Sequence, residues 1–203
     1  MFVIGTIVNM ATIWRMPQKE VIATCLAWEF AIFMQLWDAV LWKMSECSKE
    51  KEVISSVAMA FNVMQPVVSL FLFLLLKNSG ARKSVAVAIV TIYLIYMLID
   101  LSRMKPIQCV KSVCDENKKN CNLDYSWWGD SNVGGVMYLI ALLSVFLLLL
   151  RPLKFAAMQC AVILVTFFIA LFGFQDGHPS VWCFFAAFAP FFVGLSRKFA
   201  GDS

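Results

Sequence analysis

The chain has 203 residues, of which 61% are hydrophobic and only 15% charged, and its formal net charge is +4. Soluble domains run nearer one half apolar and one quarter charged, so this composition excludes an ordinary soluble fold. The small positive balance forms no basic stripe with interleaved aromatics, which excludes a nucleic-acid interface.

Apolar blocks fall at about 2–14, 21–42, 53–76, 84–101, 133–150, 155–174 and 180–196, separated by charges, Pro or Gly. They predict an all-α fold: a polytopic seven-helix transmembrane bundle forming one integral membrane domain over residues 1–203. The first and last blocks are short, so six spans plus a peripheral segment is the alternative. The first block lacks a basic leader and a small-x-small cleavage site and is read as retained. No lipidation motif is present at either end.

Charge sets the expected orientation. With seven spans, one side carries Arg15, Lys19, Lys77, Arg82, Lys83, Arg151, Lys154, Arg197 and Lys198 against Glu20 and Asp202. Basic and acidic residues nearly balance on the other side. The positive-inside bias then puts the N-terminus outside and the C-terminus in the cytoplasm. Trp42, Trp127, Trp128 and Trp182 fall at the outer boundary and Trp14 at the inner one, as an aromatic belt would.

The second block runs from Val21 to Met44, VIATCLAWEFAIFMQLWDAVLWKM. At about 1.5 Å per residue it is long enough for the ~30 Å hydrocarbon core. Glu29, Gln35 and Asp38 interrupt its apolar run. An ionisable group at that depth costs several kcal/mol unless it faces protein or water, which makes it a functional-site candidate. Glu29 lies nearest mid-depth. Asp38, nine residues on, points to nearly the opposite helix face and closer to the outer surface, and is the secondary candidate.

In the third block, Asn62 and Gln65 stand three residues apart on one helix face near mid-depth. Pro66 follows and frees a backbone carbonyl one turn earlier. Such a break is tolerated where protein or a water-lined cavity satisfies the backbone again. The expected mid-membrane polar site is therefore Glu29, Asn62 and Gln65, with Pro66 as the helix break. The plainer reading is interhelical glue, worth about 0.6–2 kcal/mol per contact. That reading suits the two amides better than the acid.

The long loop 102–132 lies on the outer side with Cys109, Cys114 and Cys121, and Cys47 sits in the other outer loop. Four cysteines on one face suggest up to two disulfides in an oxidising compartment, with the pairing open. Cys25, Cys160 and Cys183 lie within spans and are read as packing residues. With His178 as the only histidine and no Cys-x-x-Cys, no zinc site or other metal or cofactor is expected.

A weak internal repeat adds one architectural idea. Phe61-Asn-Val-Met-Gln-Pro66 parallels Phe185-Ala-Ala-Phe-Ala-Pro190, and Arg15-Met-Pro17-Gln-Lys19 parallels Arg151-Pro152-Leu-Lys154. A 3+1+3 parallel repeat is the plan of the SWEET transporters. The second half has no counterpart of Glu29, Asn62 or Gln65.

Several chemistries drop out. A retinal Schiff base needs a lysine in the last span; Val181–Leu195 has none, and Lys198 lies beyond it. No Gly-x-Ser-x-Gly elbow or phosphate-binding glycine loop appears, so the chain is not read as an enzyme.

The run Trp28-Glu29-Phe30, Met34-Gln35-Leu36-Trp37-Asp38 and Trp42, followed by Asn62 and Gln65-Pro66, resembles a known group. It looks like the uncharacterised multi-pass membrane proteins encoded by large DNA viruses of algae and protists. The resemblance covers about the first 80 residues and implies a viral or host membrane without implying an activity. Three functional readings stand. The first is transport or conduction of a small solute or ion through helices two and three. The second is a structural protein of a viral or host-derived membrane, and the third a receptor-like seven-helix protein. The lipid bilayer is the expected partner, and a homo-oligomer is left open.

Overall fold

Many large apolar side chains point outward in this molecule, while small residues line much of the interior beside a set of buried aromatics such as Phe73, Tyr138 and Phe155. Trp14, Phe71, Leu98 and Phe172 are 64–84% exposed, while Ala31, Ala58, Ala141 and Ala156 are at most 5% exposed. In lipid, apolar surface gains nothing by turning inward. Small residues collect where helix backbones must approach, because close packing then supplies the attraction.

The computed structural model describes residues 2–44, 48–76, 80–103, 111–114, 121–124, 133–173, 182 and 184–201. Its helices are α1 (Phe2–Arg15), α2 (Lys19–Lys43), α3 (Lys49–Leu74), α4 (Gly80–Arg103), α5 (Val133–Leu149), α6 (Leu153–Gly173) and α7 (Ala189–Ala200). Among the described residues, four helices are long and apolar enough to cross a membrane: α2, α3, α4 and α6. The chain is thus a helical membrane protein by the length and composition of those four. α1 and α5 are shorter apolar helices.

The helices close into a ring. α1 packs on α2, α2 on α3, α3 on α5, α5 on α6, α6 on α7, and α7 back on both α1 and α2. α4 lies against α3 and α5. α1 and α7 run in parallel, since Gly5 meets the Ala187 carbonyl and Gly194 meets Thr12 and Met16. The two glycines sit at these crossings because a Cβ at Gly5 would come within 3.0 Å of the Ala187 oxygen, and one at Gly194 within 3.1 Å of Met16.

Lys51 closes the short turn between α2 and α3. Ser48 caps α3 by accepting from the Lys51 N–H at 3.2 Å, and Lys51 Nζ donates to the Met44 carbonyl at 2.7 Å. A hydroxyl at one helix start and a cation at the other helix's end suit the orphan groups of both termini.

Three features differ from the sequence expectations. The last block was expected as one continuous span. The described residues show a helical turn at 184–186, a break at 187–188, then α7 with Pro190 in its first turn. Proline has no N–H to carry the ladder across that point. α7 also continues past Leu195 to include Lys198, which is exposed. The loop 102–132 contains a short antiparallel hairpin, β1 (Lys111–Cys114) and β2 (Cys121–Asp124), whose register sets Cys114 opposite Cys121. Trp182, placed in the outer belt from sequence, is only 3% exposed and packs edge-on against Tyr138 and Phe167. Trp42 and Trp14 are exposed, at 42% and 84%. Trp127, Trp128, His178 and Cys183 lie outside the described residues.

Candidate functional site

α3 has one polar edge, and it is the buried one. Lys51, Ser55, Asn62, Gln65 and Ser69 recur at three- and four-residue steps and are all at most 3% exposed. Residues at that spacing share a helix face. Ala58 completes the row, while Val53, Met64 and Phe71 on other faces are exposed. The sequence thus buries its hydroxyls and amides along the length of α3 and gives its aliphatic residues to the outside.

The row is unevenly satisfied. Gln65 Oε1 accepts a short hydrogen bond from the Tyr138 hydroxyl of α5, but its Nε2 has no partner. Asn62 is 1% exposed, and neither its Nδ2 nor its Oδ1 has a partner. A buried amide left bare costs roughly 1–3 kcal/mol for each group. Pro66 lies in the row's middle, inside an unbroken α3. The Tyr93 hydroxyl of α4 donates to the Val63 carbonyl at 2.9 Å, one turn before Pro66. The carbonyl that Pro66 leaves without its N–H is that of Asn62, so the Tyr93 bond braces the helix next to the proline without replacing the missing bond.

Across from this row, the aromatic residues of α2 fix the depth. Phe30 stacks on Phe61 at 5.1 Å, and Trp37 packs against the same ring at 5.6 Å. Phe33 also meets that ring, so Asn62 lies beside the stretch 30–37 of α2, about one turn from Glu29. Gln35 Nε2 and Trp37 Nε1 are two further buried groups without partners. Asp38 is 5% exposed, so it belongs to the protein interior and not to the solvated outer boundary expected for it.

Glu29 faces elsewhere. Its Oε1 accepts from Thr6 Oγ1 at 2.6 Å and its Oε2 from Asn9 Nδ2 at 2.7 Å, both on α1. The expected triad of Glu29, Asn62 and Gln65 is not joined by hydrogen bonds. Asn62 bonds to nothing described, and Gln65 bonds to Tyr138. Depth was legible, but which face of α2 meets which neighbour was not. Thr6 and Asn9 were passed over although they stand three apart in an otherwise apolar block, the spacing that puts two polar groups on one helical face.

A second network, also missed, is complete. Trp28 Nε1 donates to Gln159 Oε1 at 3.0 Å, and Gln159 Nε2 donates to Ser196 Oγ at 3.1 Å, all three residues being buried. It joins α2, α6 and α7. At its lower end Arg197 donates from Nε to Gln18 Oε1 and lies 6.0 Å over the Phe155 ring. The lone Gln159 in the apolar α6 was the available signal.

Of the cysteines, Cys25 and Cys160 are free and buried, in keeping with packing roles. Cys47 and Cys109 lie outside the described residues. No group of three or more His, Cys, Asp or Glu able to hold a metal occurs among the described residues. Comparison of the chain with protein-family models, with curated proteins and with solved structures finds no match.

Proposed function

We propose that the protein is a seven-span membrane transporter or conduit that carries a small polar solute along the buried edge of α3, between α2 and α5. The observation that carries this reading is Asn62: wholly buried at mid-helix, with both amide atoms unpartnered. Amides worth keeping only as glue are bonded to a neighbouring helix, as Gln159 is. An amide with free donors and acceptors is arranged for something that comes and goes, water or a solute. The row offers hydroxyls and amides, with Lys51 and Asp38 toward one end, so it suits a neutral, hydroxyl- or amide-bearing solute better than a string of like charges would.

The ring order supports the parallel 3+1+3 plan. Replacing α1, α2 and α3 by α5, α6 and α7 maps each sequential contact onto another, with α3–α5 answering α7–α1 and α4 as the inverting link, although the α2–α7 contact has no comparable α6–α3 counterpart. Pro66 and Pro190 then fall on equivalent helices. Outside the membrane, the hairpin register supports oxidation of Cys114 with Cys121. Directly opposed strand residues have Cα atoms about 4.5–5.5 Å apart, within disulfide range. Intact-mass analysis with and without reductant would find two hydrogens fewer in the unreduced chain. An unchanged mass would dismiss the bridge.

Flux decides the function. Liposomes holding the protein should swell faster than empty ones in isosmotic glycerol or urea, and Asn62→Leu should return them to the empty rate. A rate equal to that of empty liposomes for the unmodified protein would leave the scaffold reading in its place. The complete Trp28–Gln159–Ser196 network favours that second reading.

A further inference from the structure

We propose that α1, α2 and the broken start of α7 enclose a binding site for one sodium-sized monovalent cation at Glu29. The site is distinct from the α3 row and rests on its own observations. Glu29 sits half-buried in the middle of α2. Both its carboxylate oxygens accept hydrogen bonds from neutral donors, Thr6 Oγ1 at 2.6 Å and Asn9 Nδ2 at 2.7 Å. No basic side chain among the described residues pairs with it. Neither neutral neighbour supplies a positive charge, and a carboxylate in a membrane helix calls for a positive partner.

The second observation is Asn9. It is 0% exposed, and its Oδ1 has no partner. That oxygen is bonded to the same carbon as the Nδ2 that touches Glu29, so a bare acceptor lies beside the carboxylate. A half-turn of the amide would exchange the two atoms. With Nδ2 toward Glu29 the empty site is internally bonded; with Oδ1 toward it, two oxygens face a common point.

A main-chain oxygen lies against α1 one turn away, at the helix break. Gly5 lies one turn before Asn9 on α1, and a Cβ built there would come within 3.0 Å of the Ala187 carbonyl oxygen and 3.0 Å of Ile32 Cδ1. In an unbroken helix the Phe191 N–H would bond to that carbonyl. Here it bonds to the Phe188 carbonyl at 3.1 Å, and Pro190 has no N–H for the Ala186 carbonyl. The break therefore turns a main-chain oxygen toward α1 where α1 lacks a side chain. Carboxylate, amide and hydroxyl oxygens of α1 and α2, with a main-chain oxygen one turn away at a helix break, are the kinds of donor that coordinate alkali cations in membrane transporters. Charge fixes the valence. One carboxylate balances one positive charge, whereas calcium sites draw six to eight oxygens with several carboxylates among them.

The test uses the purified full-length protein in detergent, unfolded by heat at constant ionic strength in mixtures of sodium and choline chloride. Sodium should raise the unfolding temperature along a saturable curve, as a ligand of the native state does. Glu29→Gln should remove the shift. Gly5→Ala, which alters no ligand atom but presses on the Ala187 carbonyl, should weaken the apparent sodium affinity at least tenfold and keeps the test open should Glu29→Gln fail to fold. Equal stability in sodium and choline would overturn the proposal. So would a sodium response retained by Glu29→Gln, an unchanged sodium affinity in Gly5→Ala, or stabilisation by acid alone. Binding is read without flux: a protein that binds sodium and moves nothing fails the transport reading and keeps this one.

Discussion

Two buried amides make opposite predictions about stability. Gln159 spends its oxygen on Trp28 and its nitrogen on Ser196. Gln159→Leu removes two interhelical hydrogen bonds, at about 0.6–2 kcal/mol each, and strands the Trp28 N–H. It should lower the unfolding free energy in detergent by roughly 1–4 kcal/mol, and should leave solute flux near the unmodified rate in whatever fraction folds. Asn62 satisfies neither of its amide atoms. Asn62→Leu fills the same space without burying bare polar atoms, so it should raise stability by about 1–3 kcal/mol while abolishing flux. Equal destabilisation by both substitutions would show that Asn62 is glue. The contrast also marks what the sequence could convey. Asn62 and Gln159 are each amides in apolar helices, and their spacing places them on faces. Only the partners across the interface, Ser196 and Trp28 for one and none for the other, distinguish a fastening from a vacancy for solute.

Helices were the most legible elements because the membrane dictates their length. The expected blocks at 21–42, 53–76 and 155–174 correspond to α2, α3 and α6, with ends shifted by a few residues toward Lys19, Lys49 and Leu153. Hydropathy sees the apolar core of a helix, while the helix itself runs on into its polar caps. Proline effects were less legible. Pro66 stays inside a continuous α3, whereas Pro190 follows a break, although the two prolines sit in similar sequences. One physical difference is support: the Tyr93 hydroxyl meets the Val63 carbonyl beside Pro66. That idea can be tested by a double-mutant cycle. Tyr93→Phe alone should cost about 0.5–1.5 kcal/mol, the worth of the lost hydrogen bond. In a Pro66→Ala background, where the N–H at position 66 returns and the distortion relaxes, it should cost clearly less. Strict additivity of the two changes would separate Tyr93 from the break.

At the scale of the whole molecule, orientation follows from which ends come together. Gln18 and Arg197 are hydrogen-bonded, and Arg197 lies over Phe155, so the end of α1, the starts of α2 and α6 and the end of α7 meet at one pole. That pole carries Arg15, Lys19, Arg151, Lys154, Arg197 and Lys198, with Glu20 and Asp202 as the acids near them in sequence. Moving this cluster across a bilayer is unfavourable, and the basic bias of short loops is what fixes topology during insertion. The opposite pole holds the α2–α3 turn, where Lys51 reaches the Met44 carbonyl, and the ends of the elements that lead into loop 102–132. α1 spans only 14 residues, about 21 Å at 1.5 Å per residue, against a hydrocarbon core of ~30 Å. In the proposed seven-span bundle its crossing would depend on running in parallel beside α7, where Gly5 and Gly194 lie at the two ends of the contact. The resulting expectation is that the N-terminus and loop 102–132 face outward together and the C-terminus faces the cytoplasm. Epitope tags placed before Phe2, within 115–120 and after Ser203 test it in sealed cells: antibody should reach the first two without permeabilisation and the third only after it. A first tag that stays hidden while the second is reached would leave α1 on the inner surface and reduce the bundle to six spans. Glu29, in the middle of α2, would then stay within the membrane but lose Thr6 and Asn9 as neighbours, and with them its proposed site.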